Sequence, residues 1–382
     1  MSKSGTRSAN GMGSIRKRPD GRYEARYTGA DGKQHSVYGK TQKAVAEALR
    51  AATHSVDKGT WLEPSTVTVR QWLEEWQRDY LPHVTEATRT TYRRICDQYI
   101  LPSLGPVRLS VLSPVHVRRM LGELQRREGD AALKASTVRM AHRVLLAALG
   151  VAVKVRLLGS NPARDADLPR VERAEMHIID RPAYPAFIAA ANATRYPEAL
   201  ILMLQTGLRS GELRGLTWAD WDEDASVLHV RHQLLPDYSL GPPKDDSVRD
   251  IVVGPEVAAT LRAQRRRLAE YKLRAGDAWQ ETDFSAALIF RSTTGAPMSK
   301  TTLRDAVHRL ADPLNLPGLH PHDLRHSYAV AALRAGADIK TVQNNLGHKN
   351  AGMTLDVYAA YTTDAGKVAA EKLSKYFEAA FN

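Results

Sequence analysis

Two breaker-rich stretches divide this chain and set the scale of everything it can build. Glu63-Pro64-Ser65-Thr66 and the run opening at Gly159-Ser160-Asn161-Pro162 combine proline, glycine and short polar side chains, which interrupt helices and strands. The second run continues as a charged segment to Glu175. With 382 residues to distribute, the expected organisation is an N-terminal domain over 1–62, a helical domain over 66–164 and a C-terminal domain over 175–382, each with its own core. No long repeat or low-complexity tract competes with this division.

Within those bounds the patterns are local and readable. Residues 14–53 predict three short strands and a helix, because the turn signals Asp20-Gly21 and Asp31-Gly32 separate alternating segments such as Tyr23-x-Ala25-x-Tyr27. Thr41 caps the helix, which runs through Leu49. Thr68 opens a second helix whose Val69, Trp72, Leu73, Trp76 and Tyr80 recur at helical spacing, and Thr85, Ser113-Pro114 and Ser136 open three more. That aromatic stripe reads as core. Further on, an apolar helix over 197–205 stops at Gly207, with Ser210 capping the next. Strands over 227–230 and 250–253 flank a loop that carries Lys244 at a hairpin tip. A helix holding His322 and Arg325 runs to Gly336, another spans Asp338 to Leu346, and Gly347 stops it. Thr354 then opens a segment with Tyr358, and Lys367 to Phe381 reads as an amphipathic helix. The fold class is multidomain and mainly α with small β-sheets.

Charge narrows the partners. The formal net charge is +12, and the first 60 residues hold twelve Lys/Arg against five Asp/Glu. A polyanion is the expected partner, and nucleic acid is the usual one for such a chain. Arg89, Arg93, Arg94, Arg118, Arg119, Arg126 and Arg127 add basic helix faces suited to phosphate contact. A membrane surface is the competing polyanion, but no run of about 18 apolar residues appears and the N-terminus lacks a signal-like apolar stretch. The lone Cys96 excludes an internal disulfide and a cysteine-built zinc site, and fits a reducing cytoplasm as a small core residue.

Five polar elements follow in order through the C-terminal half: Arg209 in T-G-L-R-S-G-E-L, Lys244, His322-x-x-Arg325, His348 in L-G-H, and Tyr358. A phosphodiester gains negative charge in its transition state, so its site needs fixed planar cations, which is arginine chemistry. A tyrosine can hold the cleaved phosphorus and later leave it, so neither ATP nor a metal is required. At a reference pKa of about 10 only about 0.1% of a free tyrosine is ionised at neutral pH, so its neighbours must activate it. Lys244 is the candidate general acid for the leaving oxygen, with Lys300 a distant second. Taken singly, Arg209 with Glu212 reads as an ordinary i,i+3 pair and His348 as a cap after glycine. Their company changes that reading. A zinc site over H-D-L-R-H is not expected, because Asp323 is one methylene short, no third ligand stands at a known spacing and Arg325 repels a cation.

The order and wording of these motifs resemble the tyrosine recombinase (phage integrase) family. The resemblance implies that Arg209 and Arg325 clamp the phosphate, Lys244 is the β-hairpin lysine, His322 and His348 complete the pocket, and Glu212 orients Arg209. Tyr358, ten residues after His348, falls within the family's spacing for the nucleophile, whereas the rival Tyr361 falls outside it. The basic sheet at the front resembles an arm-site DNA-binding domain, the helices after it resemble a core-binding (SAM-like) domain, and the remainder resembles the mixed α+β catalytic domain. Implied partners are double-stranded DNA attachment sites, three further copies in a homotetramer, and an excision factor or host DNA-bending protein, with no cofactor, metal or membrane. The final helix would dock on a neighbouring copy, and the setting would be the nucleoid of a bacterial host. Two other readings compete: a transcriptional regulator with a helix-turn-helix over 321–347 and no catalysis, and a type IB-like topoisomerase or resolvase, the former disfavoured by the separate basic sheet.

Overall fold

The computed structural model describes residues 15–58, 66–171 and 176–348, together with 374, 377 and 378. It comprises two compact units, Met1–Arg173 and Ala174–Asn382.

The first unit opens with β1 (Ile15–Lys17), β2 (Tyr23–Thr28) and β3 (Gln34–Gly39), an antiparallel sheet in the order β1-β2-β3. Both Asp-Gly turns place glycine in the left-handed region, Gly21 at φ +80 and Gly32 at φ +74, where a side chain would be strained. α1 (Gln42–Asp57) starts where Thr41 accepts the Ala44 N–H at 3.2 Å. It runs past the expected end at Leu49 because its apolar stripe continues through Ala52 and Val56 onto the cluster of Ala25, Tyr27, Val45 and Leu49. On the sheet's other face Glu24, 3% exposed, receives Arg16 Nε at 2.7 Å, Arg26 Nε at 3.3 Å and Ser36 Oγ at 3.1 Å.

The helices of this unit are α2 (Val69–Asp79), α3 (Glu86–Ile95), which continues through a π-turn at Cys96–Ile100 into α4 (Leu101–Leu104), α5 (Pro114–Gln125) and α6 (Ala135–Lys154). Thr68 caps α2 in a reciprocal box with Gln71, Thr85 caps α3, and Ser113 with Pro114 opens α5. Ser136 does not cap α6. Lys134 takes that position in extended conformation, so the backbone turn and not the hydroxyl sets the start. α6 is long and apolar enough to cross a bilayer, yet Val138, Val144, Leu145 and Leu149 are buried in the same cluster as Trp72 and Trp76. The Trp72 indole N–H donates to the Ala148 carbonyl at 3.0 Å, which satisfies the one polar atom of a buried ring. Cys96 is fully buried, and burial pushes its thiol up to about 12, so it is packing material and not a nucleophile.

The second unit contains α7 (Tyr184–Asn192), α8 (Pro197–Thr206), α9 (Ser210–Gly215), β4 (Trp221–Asp222), β5 (Val227–Val230), β6 (Gln233–Leu234), β7 (Leu240–Gly241), β8 (Arg249–Val252), α10 (Pro255–Ala275), α11 (Asp283–Ala287), α12 (Lys300–His308), α13 (Ala311–Leu314), α14 (Pro321–Arg334) and α15 (Ile339–Leu346). β4, β5 and β8 form one antiparallel sheet, and β6 with β7 a separate hairpin. α8 lies at the centre, its Leu200, Leu202 and Met203 fully buried, packed against α7, α10 and α14. The expected strand pair at 227–230 and 250–253 is present one residue early on the second strand. Lys244 is not at a hairpin tip, however, because the two-residue strands β6 and β7 intervene and reverse at Asp237-Tyr238. Strands that short leave no alternation in sequence. Of the amphipathic segment Lys367 to Phe381 the structure describes only residues 374, 377 and 378, which are helical and exposed, and the start signal at Thr354 lies outside the described residues.

Trp72→Ala removes a buried ring and its hydrogen bond. Its expected cost is about 3–5 kcal/mol of unfolding free energy in urea titrations, whereas Val115→Ala, at a position 62% exposed, should stay within about 0.5 kcal/mol. Equal effects would show that the stripe is not the core.

Candidate active site

The pocket begins where α8 stops. Gly207 sits at φ +65, and a Cβ there would lie 2.5 Å from Tyr328 Cδ1 and 2.8 Å from Leu346 Cδ2, so both the backbone sign and the space demand glycine. Two residues later Arg209 is itself the N-cap of α9, a place expected for Ser210. The cause is Glu212, whose carboxylate reaches back to accept the Arg209 backbone N–H at 2.9 Å and its Nη1 at 2.7 Å. A carboxylate in the first turn also suits the helix dipole.

This is no surface pair. Glu212 is 1% exposed, and it is gripped from the other side by Arg249 of β8, with Nη1 at 3.1 Å from Oε1 and Nη2 at 2.7 Å from Oε2. Burial alone would raise the carboxyl's pKa. The fork and charge of Arg249, followed by the N–H and charge of Arg209, override it and hold the group at about 2, as expected for an anion accepting several charged donors.

α15 ends at Gly347, left-handed at φ +64, and leaves its last carbonyls without helical partners. Arginine takes three of them in succession: Arg249 Nε donates to Asn345 O at 2.6 Å, Arg325 Nη2 to Leu346 O at 2.5 Å and Arg209 Nη2 to Gly347 O at 2.9 Å. Arg325 Nη1 donates to Gly207 O at 2.8 Å as well, so one guanidinium joins the ends of α8 and α15. Arg325 is 2% exposed and has no carboxylate among its hydrogen-bond acceptors. Burial first, then the charge of Arg209, pulls its pKa down to about 9.

The histidines stand around this cluster. His322 lies near the start of α14, its ring 4.5 Å from that of His326 in an edge-on contact. Burial, with His326 and Arg325 next in weight, lowers its pKa to about 4. His348 follows Gly347, and its peptide N–H donates to Gln343 O at 3.1 Å. Burial, then Arg325 and Arg209, brings it to about 4 too. Both imidazoles are therefore neutral at physiological pH and act as hydrogen-bonding groups, not as additional cations.

Lys244 is exposed in the turn between β7 and β8, where Asp245 and Asp246 take φ +63 and +52. Its carbonyl accepts Ser247 Oγ at 2.9 Å, and the same hydroxyl accepts Arg209 Nη1 at 3.1 Å. The turn is thus tied to the pocket while its lysine side chain stays at the surface. A cleft of about 470 Å3 opens between Asp245–Asp250 and the residues Gln343, Asn344, Gly347 and His348.

The structure therefore gathers Arg209, Glu212, His322, Arg325 and His348, with the Lys244 turn beside them. Tyr358 and its rival Tyr361 lie outside the described residues. Sequence reasoning missed Arg249. A signal for it existed: strand alternation puts Arg249 on the face of Ile251, which is buried, and an inward arginine needs a buried partner.

Comparison with known proteins bears on this geometry. The profile of the Phage integrase family matches residues 177–364, and that of the phage integrase N-terminal SAM-like domain matches residues 68–125. The chain is 26% identical to the integrase of Mycobacterium phage L5, over 96% of this chain and 98% of that one. It is also 26% identical to a putative prophage phiRv2 integrase of Mycobacterium tuberculosis, over 93% of each. Among solved structures it is similar to the Tn1549 transposon integrase in complex with transposon right end DNA, with a TM-score of 0.67, 25% identity, and coverage of 81% of this chain and all of that one. A lambda integrase tetramer bound to a Holliday junction shares the fold at TM-score 0.58 and 17% identity, over 92% and 96% of the two chains.

Two measurements follow from the pocket. His322 and His348 have folded pKa values near 4 against an ordinary 6.5, so the unfolded chain binds more protons in that window and stability falls as pH drops from about 6.5 to 4. Urea unfolding across that range should show the loss, and replacing both histidines with asparagine should flatten the slope; an unchanged slope would contradict their neutrality. Gly207→Ala should destabilise the fold by at least about 1–2 kcal/mol from its backbone sign alone, read as a lowered melting temperature.

Proposed function

The chain belongs to the phage integrase family, and we propose that it is the site-specific recombinase of a phage or other mobile element, cutting and rejoining DNA through a 3′-phosphotyrosine. The observation that carries this reading is the convergence of Arg209 and Arg325, from α9 and α14, on one set of carbonyl oxygens at the end of α15. Guanidiniums that bind neutral oxygens bind the anionic oxygens of a phosphodiester more strongly, because the bond becomes charge-assisted on both sides. Three guanidiniums there face one carboxylate, which leaves positive charge for an incoming phosphate.

In this reading Tyr358 attacks the scissile phosphorus while Arg209 and Arg325 hold the non-bridging oxygens, an oxyanion hole built for phosphorus. Neutral His322 and His348 add N–H donors. Lys244 delivers a proton to the departing 5′-oxygen, and an exposed turn anchored at Ser247 suits a group that must meet DNA from outside. The 5′-hydroxyl of the partner duplex then displaces the tyrosine, so each cut conserves the bond it breaks. Exchange of two strand pairs calls for four copies across two duplexes, and the DNA-bound tetramer of the lambda relative supports that assembly. We read residues 66–164 as the domain that grips the core site, 175–382 as the catalytic domain, and the sheet over 1–62 as a reader of separate arm sites, its Arg16 and Arg26 fixed on the outer face by Glu24. A β-ribbon of this size fits the major groove. The protein would work at the nucleoid of a bacterial host.

A nicked suicide duplex, cut from the junctions between the element and its flanking DNA and incubated with EDTA, tests the reading. Wild-type protein should form a covalent adduct that mass spectrometry maps to Tyr358, and Tyr358→Phe should abolish it while DNA affinity stays within about threefold, since only a hydroxyl is lost. Arg209→Ala should slow adduct formation by about 100-fold or more. A mobility shift with no adduct from the wild type would favour a regulator, and attachment at another residue would refute the assignment.

A further inference from the structure

We propose that Arg249 is a positioning residue for DNA cleavage, the strut that fixes Arg209, the Lys244 turn and the His348 turn relative to one another. The inference rests on the recombinase reading above and assigns a role to a residue which that reading leaves without one.

Four N–H contacts define it. Nε donates to Asn345 O at the end of α15, Nη1 to Ser247 O beside the Lys244 turn and to Glu212 Oε1, and Nη2 to Glu212 Oε2 on α9. A guanidinium carries five N–H groups, so nearly the whole donor set is spent inside the protein, and the side chain is 7% exposed. Arg249 is thus placed to hold other groups and not to touch DNA.

Its effect on Arg209 follows from how Glu212 is shared. Arg249 takes the carboxylate as a parallel fork, one nitrogen to each oxygen. Arg209 then meets Glu212 through its backbone N–H and Nη1 alone, and its Nη2 is free to point at Gly347 O. Without Arg249, a buried carboxylate would retain one guanidinium as its hydrogen-bonding counter-ion, and the strongest geometry open to that pair is the same fork. Arg209 would be drawn onto Glu212 and away from the α15 end, where its two neighbours bind. Asn345 O would lose its donor in the same step, and the turn bearing His348 would be held by Arg325 alone instead of by three arginines. A misplacement of about 1 Å in such a site costs on the order of 100-fold in rate.

A lysine cannot stand in, because one ammonium offers neither the planar fork nor the reach to three separate elements. The experiment compares wild type, Arg249→Lys, Arg249→Ala, Arg209→Ala, the Arg209→Ala/Arg249→Ala double variant and Tyr358→Phe. Each is mixed with a saturating nicked suicide duplex taken from the element's junctions. The first-order rate constant of adduct formation is read separately from its amplitude, alongside DNA affinity by mobility shift. Misfolded protein lowers the amplitude, whereas misplacement lowers the rate constant.

Arg249→Lys and Arg249→Ala should each lower the rate constant about 100-fold with affinity within about threefold. Adding Arg249→Ala to Arg209→Ala should cost less than about a further tenfold, because the strut acts largely through the residue already removed. Arg249→Lys reacting at the wild-type rate constant, losses confined to amplitude, or full multiplication of the two single losses would each overturn the proposal. A wild type that forms no adduct, or a Tyr358→Phe protein that still does, would instead bring down the recombinase reading and this inference with it.

Discussion

Glu212 holds two guanidiniums apart from a third, and the chemistry of the pocket depends on that division. Arg209 and Arg249 share its buried carboxylate, while Arg325 is bonded to carbonyls alone. Charges this close repel one another appreciably in a medium less polarisable than water. One carboxylate cannot cancel three cations, so the pocket keeps a positive excess; burial first, and then the charge of Arg209, draws the pKa of Arg325 down to about 9. A group in that state gains most from an anion. Removing one member of such a buried pair generally costs about 3–5 kcal/mol, because the other is left uncompensated.

The end of α15 completes the balance with dipoles. A helix C-terminus carries about half a negative elementary charge spread over unpaired carbonyls, and here those carbonyls fall to three arginines from three elements. Gly347 makes this possible by turning the chain left-handed just after the last carbonyl, and Gly207 does the same for α8. The two glycine stops present oxygen atoms to one guanidinium, and His348 emerges from the second of them already beside it. The N-terminal sheet repeats the device on a smaller scale, with Glu24 beneath Arg16 and Arg26. The charge of the arginines offsets the cost of burying such a carboxylate, which in turn removes rotamer freedom from side chains that would otherwise wander.

What could be read in advance was local. Thr41, Thr68, Thr85 and Asp338 cap helices through atoms three residues away, and a motif of that span survives in sequence. Gly207 and Gly347 could be recognised as stops for the same reason. The cap at Arg209 escaped because a hydroxyl at Ser210 looked the better acceptor, while the Glu212 carboxylate reached one residue further back. Arg249 escaped more completely: its partners stand 37 and 96 residues away, and no spacing rule extends so far. The hairpin of β6 and β7 was invisible because two residues have no period.

The sequence by itself determined the family, the mainly helical fold with small sheets, the excess of positive charge and the order in which the polar motifs arrive, because each of these depends on residue identity or short-range spacing. Only the tertiary structure decided that His322 and His348 are neutral, that Arg325 is buried with carbonyls as its hydrogen-bond acceptors, and that Arg249 binds three elements together. Desolvation and Coulomb interaction depend on distance through space, and residues such as Gly207, Arg249 and Arg325 become neighbours only when α8, β8, α14 and α15 pack.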